Sequence, residues 1–150
     1  MRIPAKRSVA ICAFVFSGLA ALGSTPPEPV TRPDLNGTRV RAPGTATVYL
    51  IDIGFRRAVP NIPACEALFR DWEWIVEDLD VEAIRLGDPL GESAGLVKSG
   101  NASGVYFLDG TTRRLVANPQ VMDKYRFAWE RVRDVTFEDL ARWPKGEMLR

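Results

Sequence analysis

Two arginine pairs carry the most obvious chemical potential in this sequence: Arg56-Arg57 and Arg113-Arg114 each begin four residues after an aspartate, Asp52 and Asp109. A guanidinium presents a rigid fork of donors that matches carboxylate and phosphate groups, so Arg56 and Arg113 are candidate ligand-binding residues for an acidic envelope polymer. Neighbouring residues on a strand face opposite ways, so one arginine of each pair faces solvent and the other is placed to pair with the aspartate across the turn. That pairing gives Asp52 and Asp109 a structural role, fixing each hairpin, and explains their recurrence without an acid and base pair. Four tryptophans supply the second handle. Trp72 and Trp129 recur at one position, beside Phe69 and Phe127, and read as core anchors. Trp74 stands among acidic residues and Trp143 precedes a Pro-Lys-Gly turn. These two read as exposed rings, candidates for stacking on a sugar or docking on a protein.

Other chemistries are excluded by what is missing. The chain has no histidine, so no Ser-His-Asp or Cys-His relay, imidazole zinc site or histidine general base can be built. Ser93, Ser99 and Ser103 have no base nearby in the sequence, and the Gly-Asp-Pro-Leu-Gly stretch at 87–91 lacks the strand-to-helix context of a phosphate loop. No catalytic residue, metal or cofactor is expected. Lys+Arg at 20 against Asp+Glu at 19 leaves no basic excess to release phosphate counterions, so no nucleic-acid partner is expected either. A length of 150 residues, 46% apolar and 26% charged, is that of a globular chain of one domain.

The elements that must position these residues come in duplicate. Residues 48–61 recur as 105–118 at a constant offset of 57, and from 48–73 against 105–130 nine of twenty-six positions are identical without a gap. The register extends backwards to Arg39-Val40-Arg41 against Leu96-Val97-Lys98. Forwards, after a slip, it reaches closing Gly and Leu residues in each copy, giving repeats over 38–94 and 95–150. Within each, a short strand holds Val40 or Val97, and a second strand at 48–52 or 105–109 is apolar on both faces and therefore buried on both sides. Asp109-Gly110 is a hairpin signal, echoed by Asp52-Ile53-Gly54, and returns the chain through a third strand at 56–59 or 113–116. Asn61 and Asn118 follow as turn or cap residues, residues 63–70 and 119–127 suit a short helix with Pro near its start, and Thr136 to Asp139 has the form of a capping box opening a second one. The predicted fold class is α+β, two copies of a β-β-β-α-α repeat packed as one small domain.

Ahead of the repeats, Arg2, Lys6 and Arg7 precede a charge-free apolar run at 9–22, the n-region and h-region of a secretory signal, with cleavage predicted between Gly23 and Ser24. An uncleaved anchor is the alternative, since the charge-free stretch runs from Ser8 to Pro27. The cleaved chain keeps no span of the roughly 20 apolar residues a membrane helix needs. Export places it outside the cytoplasm: secreted, periplasmic or at the cell surface. The mature chain retains one cysteine, Cys65, which rules out an internal disulfide and reads as a small buried side chain. Residues 24–37, rich in proline, read as an extended linker.

The hairpins, the tryptophans and the capping boxes over residues 38–150 resemble a duplicated module of secreted bacterial proteins, in which a VYLVD-turn-RR hairpin precedes a short helix and an aromatic residue. The resemblance implies an accessory domain, often beside cell-wall or carbohydrate-active partners, with no settled function. Members frequently carry His after the arginine pair; here Ala58 and Leu115 stand there, so any role of that imidazole does not carry over. The expected function is a secreted, non-catalytic binding module for a cell-envelope glycan or peptidoglycan, with docking to a secreted protein or a structural adaptor role as the alternative.

Overall fold

A computed structural model of the chain describes residues 23–150; apart from Gly23, the expected signal segment, with Cys12, lies outside the described residues. The structure is mixed α+β, with two four-stranded sheets and short helices, consistent with a domain in two parts. In the first half, β1 (Arg39–Arg41), β2 (Tyr49–Asp52), β3 (Phe55–Ala58), α1 (Ile62–Leu68) and β4 (Ile75–Glu77) are followed by a 3-10 turn at Val81–Ala83. In the second, β5 (Gly95–Ser99), β6 (Val105–Leu108), β7 (Arg113–Leu115) and α2 (Pro119–Lys124) lead through a 3-10 turn at Trp129–Arg131 to β8 (Arg133–Val135) and α3 (Phe137–Ala141). The sheet orders correspond: β3-β2-β1-β4 and β7-β6-β5-β8.

The order within each half is thus β-β-β-α-β and then a short helical segment, which corrects the expected β-β-β-α-α. β4 and β8 are three residues each and pair in parallel with β1 and β5, far away in sequence. A three-residue edge strand carrying charges offers too few positions for an alternation to register. Only the second half forms a true second helix. There the Thr136 hydroxyl accepts from Asp139 N–H at 3.0 Å, whereas Asp80 makes no side-chain cap and its segment stays a single 3-10 turn.

The hairpin signals act as expected from their residues. Asp52 pairs with Phe55, leaving Ile53 and Gly54 as a two-residue loop in which both have positive φ, 51° and 78°. That is the conformation whose twist matches the strands, and it leaves the β-branched Ile53 in a region its side chain disfavours. In the second hairpin the loop is longer, and Asp109 closes it by accepting from the Thr111 and Thr112 N–H groups at 2.9 and 2.8 Å.

Each sheet is covered on two sides. One face of both contributes to a shared central core containing Leu50, Leu68, Leu96, Phe107 and Phe127, each fully buried and worth about 1.5–3 kcal/mol of apolar burial apiece. The opposite face of the first sheet buries Val40 and Ile51 under Val81 and Ile84, and that of the second buries Val97 and Leu108 under Leu140 and Trp143. After the last helical segment of each half, a strap returns along the outer hairpin strand: Gly87 N–H donates to Arg56 C=O and Gly146 N–H to Arg113 C=O. The Pro-rich segment is tied down from Val30 onward. Val30 N–H reaches Ala83 C=O, Arg32 N–H reaches Gly54 C=O, and Asn36 accepts from Gly54 N–H. Among the described residues no helix is long and apolar enough to cross a membrane.

The halves meet along a seam and at a buried ion cluster. At the seam Phe69 and Phe127 form an antiparallel bridge, flanked by Arg70 N–H to Arg126 C=O and Ala128 N–H to Leu68 C=O. In the cluster, Arg57 reaches Asp52 at 2.8 Å and Asp109 at 3.2 Å, while Arg114 reaches Asp52 at 2.5 Å. Asp109 therefore does not pair with the arginine of its own hairpin, as the sequence suggested, but with Arg57 of the other, because the two hairpins face each other. Burial would raise the Asp109 carboxyl, yet the Thr112 and Thr111 N–H donors and Arg57 outweigh it and hold the group below its ordinary value. Tyr125 is pushed up by burial and by the nearby Asp52 charge.

Candidate functional site

A concavity of about 570 Å³ opens where β2 begins, β3 ends and the turn into α1 passes over them. Val48, Ala58 and Val59 form its walls, Cys65 its floor, and Trp72 and Ile62 its lip. A second cleft of about 300 Å³ lies at the corresponding corner of the other sheet, with Val105, Leu115 and Val116 as walls, Met122 as floor and Trp129 on the lip. Every residue lining the second cleft stands 57 positions after one lining the first. The difference in volume follows from the side chains: Leu115 and Met122 occupy space that Ala58 and Cys65 leave open.

Each cleft is shaped by the cap of its helix. Asn61 accepts from Ala64 N–H at 2.8 Å and Asn118 from Val121 N–H at 3.0 Å, which fixes the turn and leaves the amide NH₂ of each asparagine as a possible donor at the rim. The lip is set by a short excursion of chain. Phe69 turns into the core, Arg39 holds the carbonyls of Asp71 and Glu73 at 2.5 Å each, and the alternate residues Trp72 and Trp74 turn outward.

Trp72 and Trp129 are therefore not the core anchors that their recurrence suggested. They are 48% and 46% exposed, because the buried position at the seam is taken by Phe69 and Phe127. Trp74 is 69% exposed and has φ of +61°; the Arg126 guanidinium lies 5.2 Å from its ring centre and is bonded to Asp71 at 2.7 Å. Trp143 is not an exposed ring: it is half-buried and closes the outer face of the second sheet against Leu140.

Arg56 and Arg113 are committed elsewhere. Arg56 donates to Ile84 C=O at 2.8 Å and lies over Tyr49, and Arg113 donates to Leu140 C=O at 2.7 Å and lies over Tyr106. They clamp the last helical segment of each half to its sheet and are not aimed at a ligand. Of the four candidate ligand residues only Trp74 stands open, while Trp72 and Trp129, expected in the core, stand at the cleft lips. Their signal was present in the flanking charges, Arg70-Asp71 and Glu73 on one side and Glu130-Arg131 on the other, which suit a chain segment at the surface.

Chemically the clefts can stack, enclose apolar groups and donate a few hydrogen bonds. The Cys65 thiol is pushed up by burial, which keeps it protonated and weakly nucleophilic at neutral pH. Among the described residues no group of three His, Cys, Asp or Glu side chains could hold a metal ion. Comparison with protein family models, curated proteins and solved structures gave no match.

Proposed function

We propose that the two halves are copies of one unit, and that the chain is an exported, non-catalytic binding module for a cell-envelope glycan, held at the two clefts by the faces of Trp72 and Trp129. The observation that carries this reading is the duplicated cleft with a half-exposed indole on each lip. A flat, partly apolar sugar ring stacks on an exposed indole, and the rim asparagines offer hydrogen bonds to hydroxyl groups. The charged start and short apolar run at the N-terminus support export. Charge around the first lip is balanced, Arg41 being paired with Glu77 at 2.6 Å, so binding is expected to depend little on salt.

Retention of the mature protein on peptidoglycan and on insoluble β-linked glycans tests the reading. Trp72→Ala and Trp129→Ala should each weaken retention several-fold, up to about tenfold, while thermal melting shows the fold intact. Folded variants that bind every such polymer as the parent does would overturn it. Docking of a protein is the second reading, favoured by Ile62, 61% exposed at the lip of a largely aliphatic cleft; a folded parent that is retained on none of these polymers would point that way.

A further inference from the structure

We infer that the two clefts hold separate polymer segments, so that the protein bridges glycan strands instead of tracking along one. The inference rests on the glycan reading above and adds the geometry of engagement.

The contacts between the halves are reciprocal. Arg57 of the first hairpin bonds Asp109 of the second, and Arg114 of the second bonds Asp52 of the first. Arg114 is 57 residues after Arg57, and Asp109 is 57 after Asp52, so each pair is the image of the other with the halves exchanged. At the seam, Phe69 faces Phe127 in an antiparallel bridge and the adjacent Arg70 N–H meets Arg126 C=O, again positions that exchange within a residue or two. Contacts in which i meets j and the image of j meets the image of i mark a two-fold relation; a translation or screw between the halves would give head-to-tail contacts.

A half-turn has a consequence for any ligand with a direction. A polysaccharide has unlike ends, and a cleft built of chiral residues reads it in one sense. A single straight strand threading both clefts would have to cross the two-fold axis, and it would meet the second cleft with its direction reversed relative to the first. The two clefts can both be filled in the preferred sense only by two segments, each approaching from its own side. Two sites of this kind on one rigid unit make a cross-link, whose effect on a polymer network exceeds that of either site alone.

The test uses tetramers of β-1,4-linked glucose and of N-acetylglucosamine, and the soluble long-chain polymer of whichever sugar binds. Calorimetry should give two tetramers per parent protein and one for Trp129→Ala. Light scattering from the long polymer should rise with added parent protein, pass through a maximum and fall as each strand becomes saturated with its own protein. Either single variant, Trp72→Ala or Trp129→Ala, should leave scattering at the polymer's baseline while still binding one tetramer. A parent that binds one tetramer only, or a single-site variant that scatters like the parent, would overturn bridging and leave glycan binding standing. A parent that binds neither tetramer overturns bridging, and one that is also retained on neither peptidoglycan nor insoluble β-linked glycans overturns glycan binding with it.

Discussion

The first half keeps a guanidinium where the second keeps an aliphatic side chain. Arg39 and Leu96 occupy corresponding places in β1 and β5, face the same shared core, and are 1% and 0% exposed. Leu96 needs nothing but apolar neighbours. Arg39 is held by two backbone carbonyls and the Asp71 carboxylate, with its plane 4.7 Å from the Phe69 ring centre. The comparison shows what a buried charge demands: a shell of acceptors that must be held in place by the chain supplying them. That chain is the lip of the first cleft, so the burial of Arg39 and the outward turn of Trp72 are one arrangement. In the second half, where no such clamp exists, a 3-10 turn at Trp129–Arg131 carries the indole instead.

The most severe way to break this comparison is Leu96→Arg. In the second half the corresponding chain is a 3-10 turn whose Ala128 C=O already accepts from Arg131 N–H, so an uncompensated charge would enter the shared core; a loss of about 3–5 kcal/mol or outright failure to fold is expected in urea denaturation. The reverse exchange, Arg39→Leu, should be milder. It removes a charge well suited to replacement by an apolar group, but orphans the carbonyls of Asp71 and Glu73, at a cost of about 1–3 kcal/mol. It should also loosen the first lip, weakening tetramer binding at the Trp72 cleft and sparing the Trp129 cleft. Equal weakening at both, read by calorimetry of Arg39→Leu in a Trp129→Ala background and in a Trp72→Ala background, would show that the lip is not what Arg39 controls.

The smallest effect is expected from pH. Asp71 is lowered first by its bond to Arg126 and further by Arg39, and Asp109 is also lowered. A carboxyl depressed on folding stabilises the protein above its unfolded value, 3.8 here, and that contribution is lost as pH falls through the folded value. Melting temperature should therefore decline below about pH 4, and Arg39→Leu should blunt part of the decline by relaxing Asp71. Tyr125 acts at the other end: its pKa is raised on folding, so its contribution is fully present below its ordinary value of 10 and is lost as pH rises through the folded value. An acid limb unchanged in Asp71→Asn would remove Asp71 from this account.

Much of the architecture was legible because it was written locally. The apolar runs of β2 and β6, the Asp-Gly and Ile-Gly turns and the asparagines at the helix starts each act within a few residues. β4 and β8 were not legible, since their pairing partners lie about a whole half away and three residues carry no period. The site was harder still. A tryptophan that recurs at one place in two halves reads as a repeated core contact, and only the packing of Phe69 and Phe127 into that core leaves Trp72 and Trp129 on the lips. Arg56 and Arg113 looked available because a sequence does not show the carbonyls of Ile84 and Leu140 arriving beside them. Arg39 was hidden by its charge, although its alignment with Leu96 already marked the position as interior.

The approach of Gly91 to Gly110 has a bearing on how many chains make one folded unit. A Cβ on either glycine would lie about 2.5 Å from the other's Cα, and Gly91 N–H donates to Asp109 C=O at 2.7 Å, so the strap that joins the halves is pressed flat against the second hairpin. Since the ion pairs and the seam are reciprocal, the same contacts could be completed by the corresponding half of another chain. Exchange of halves would cost nothing at the interface itself. The choice of one chain over two therefore rests with the strap, where a side chain at Gly91 would lift the connection and favour domain swapping, seen as a dimer in gel filtration with the monomer's near-ultraviolet circular dichroism.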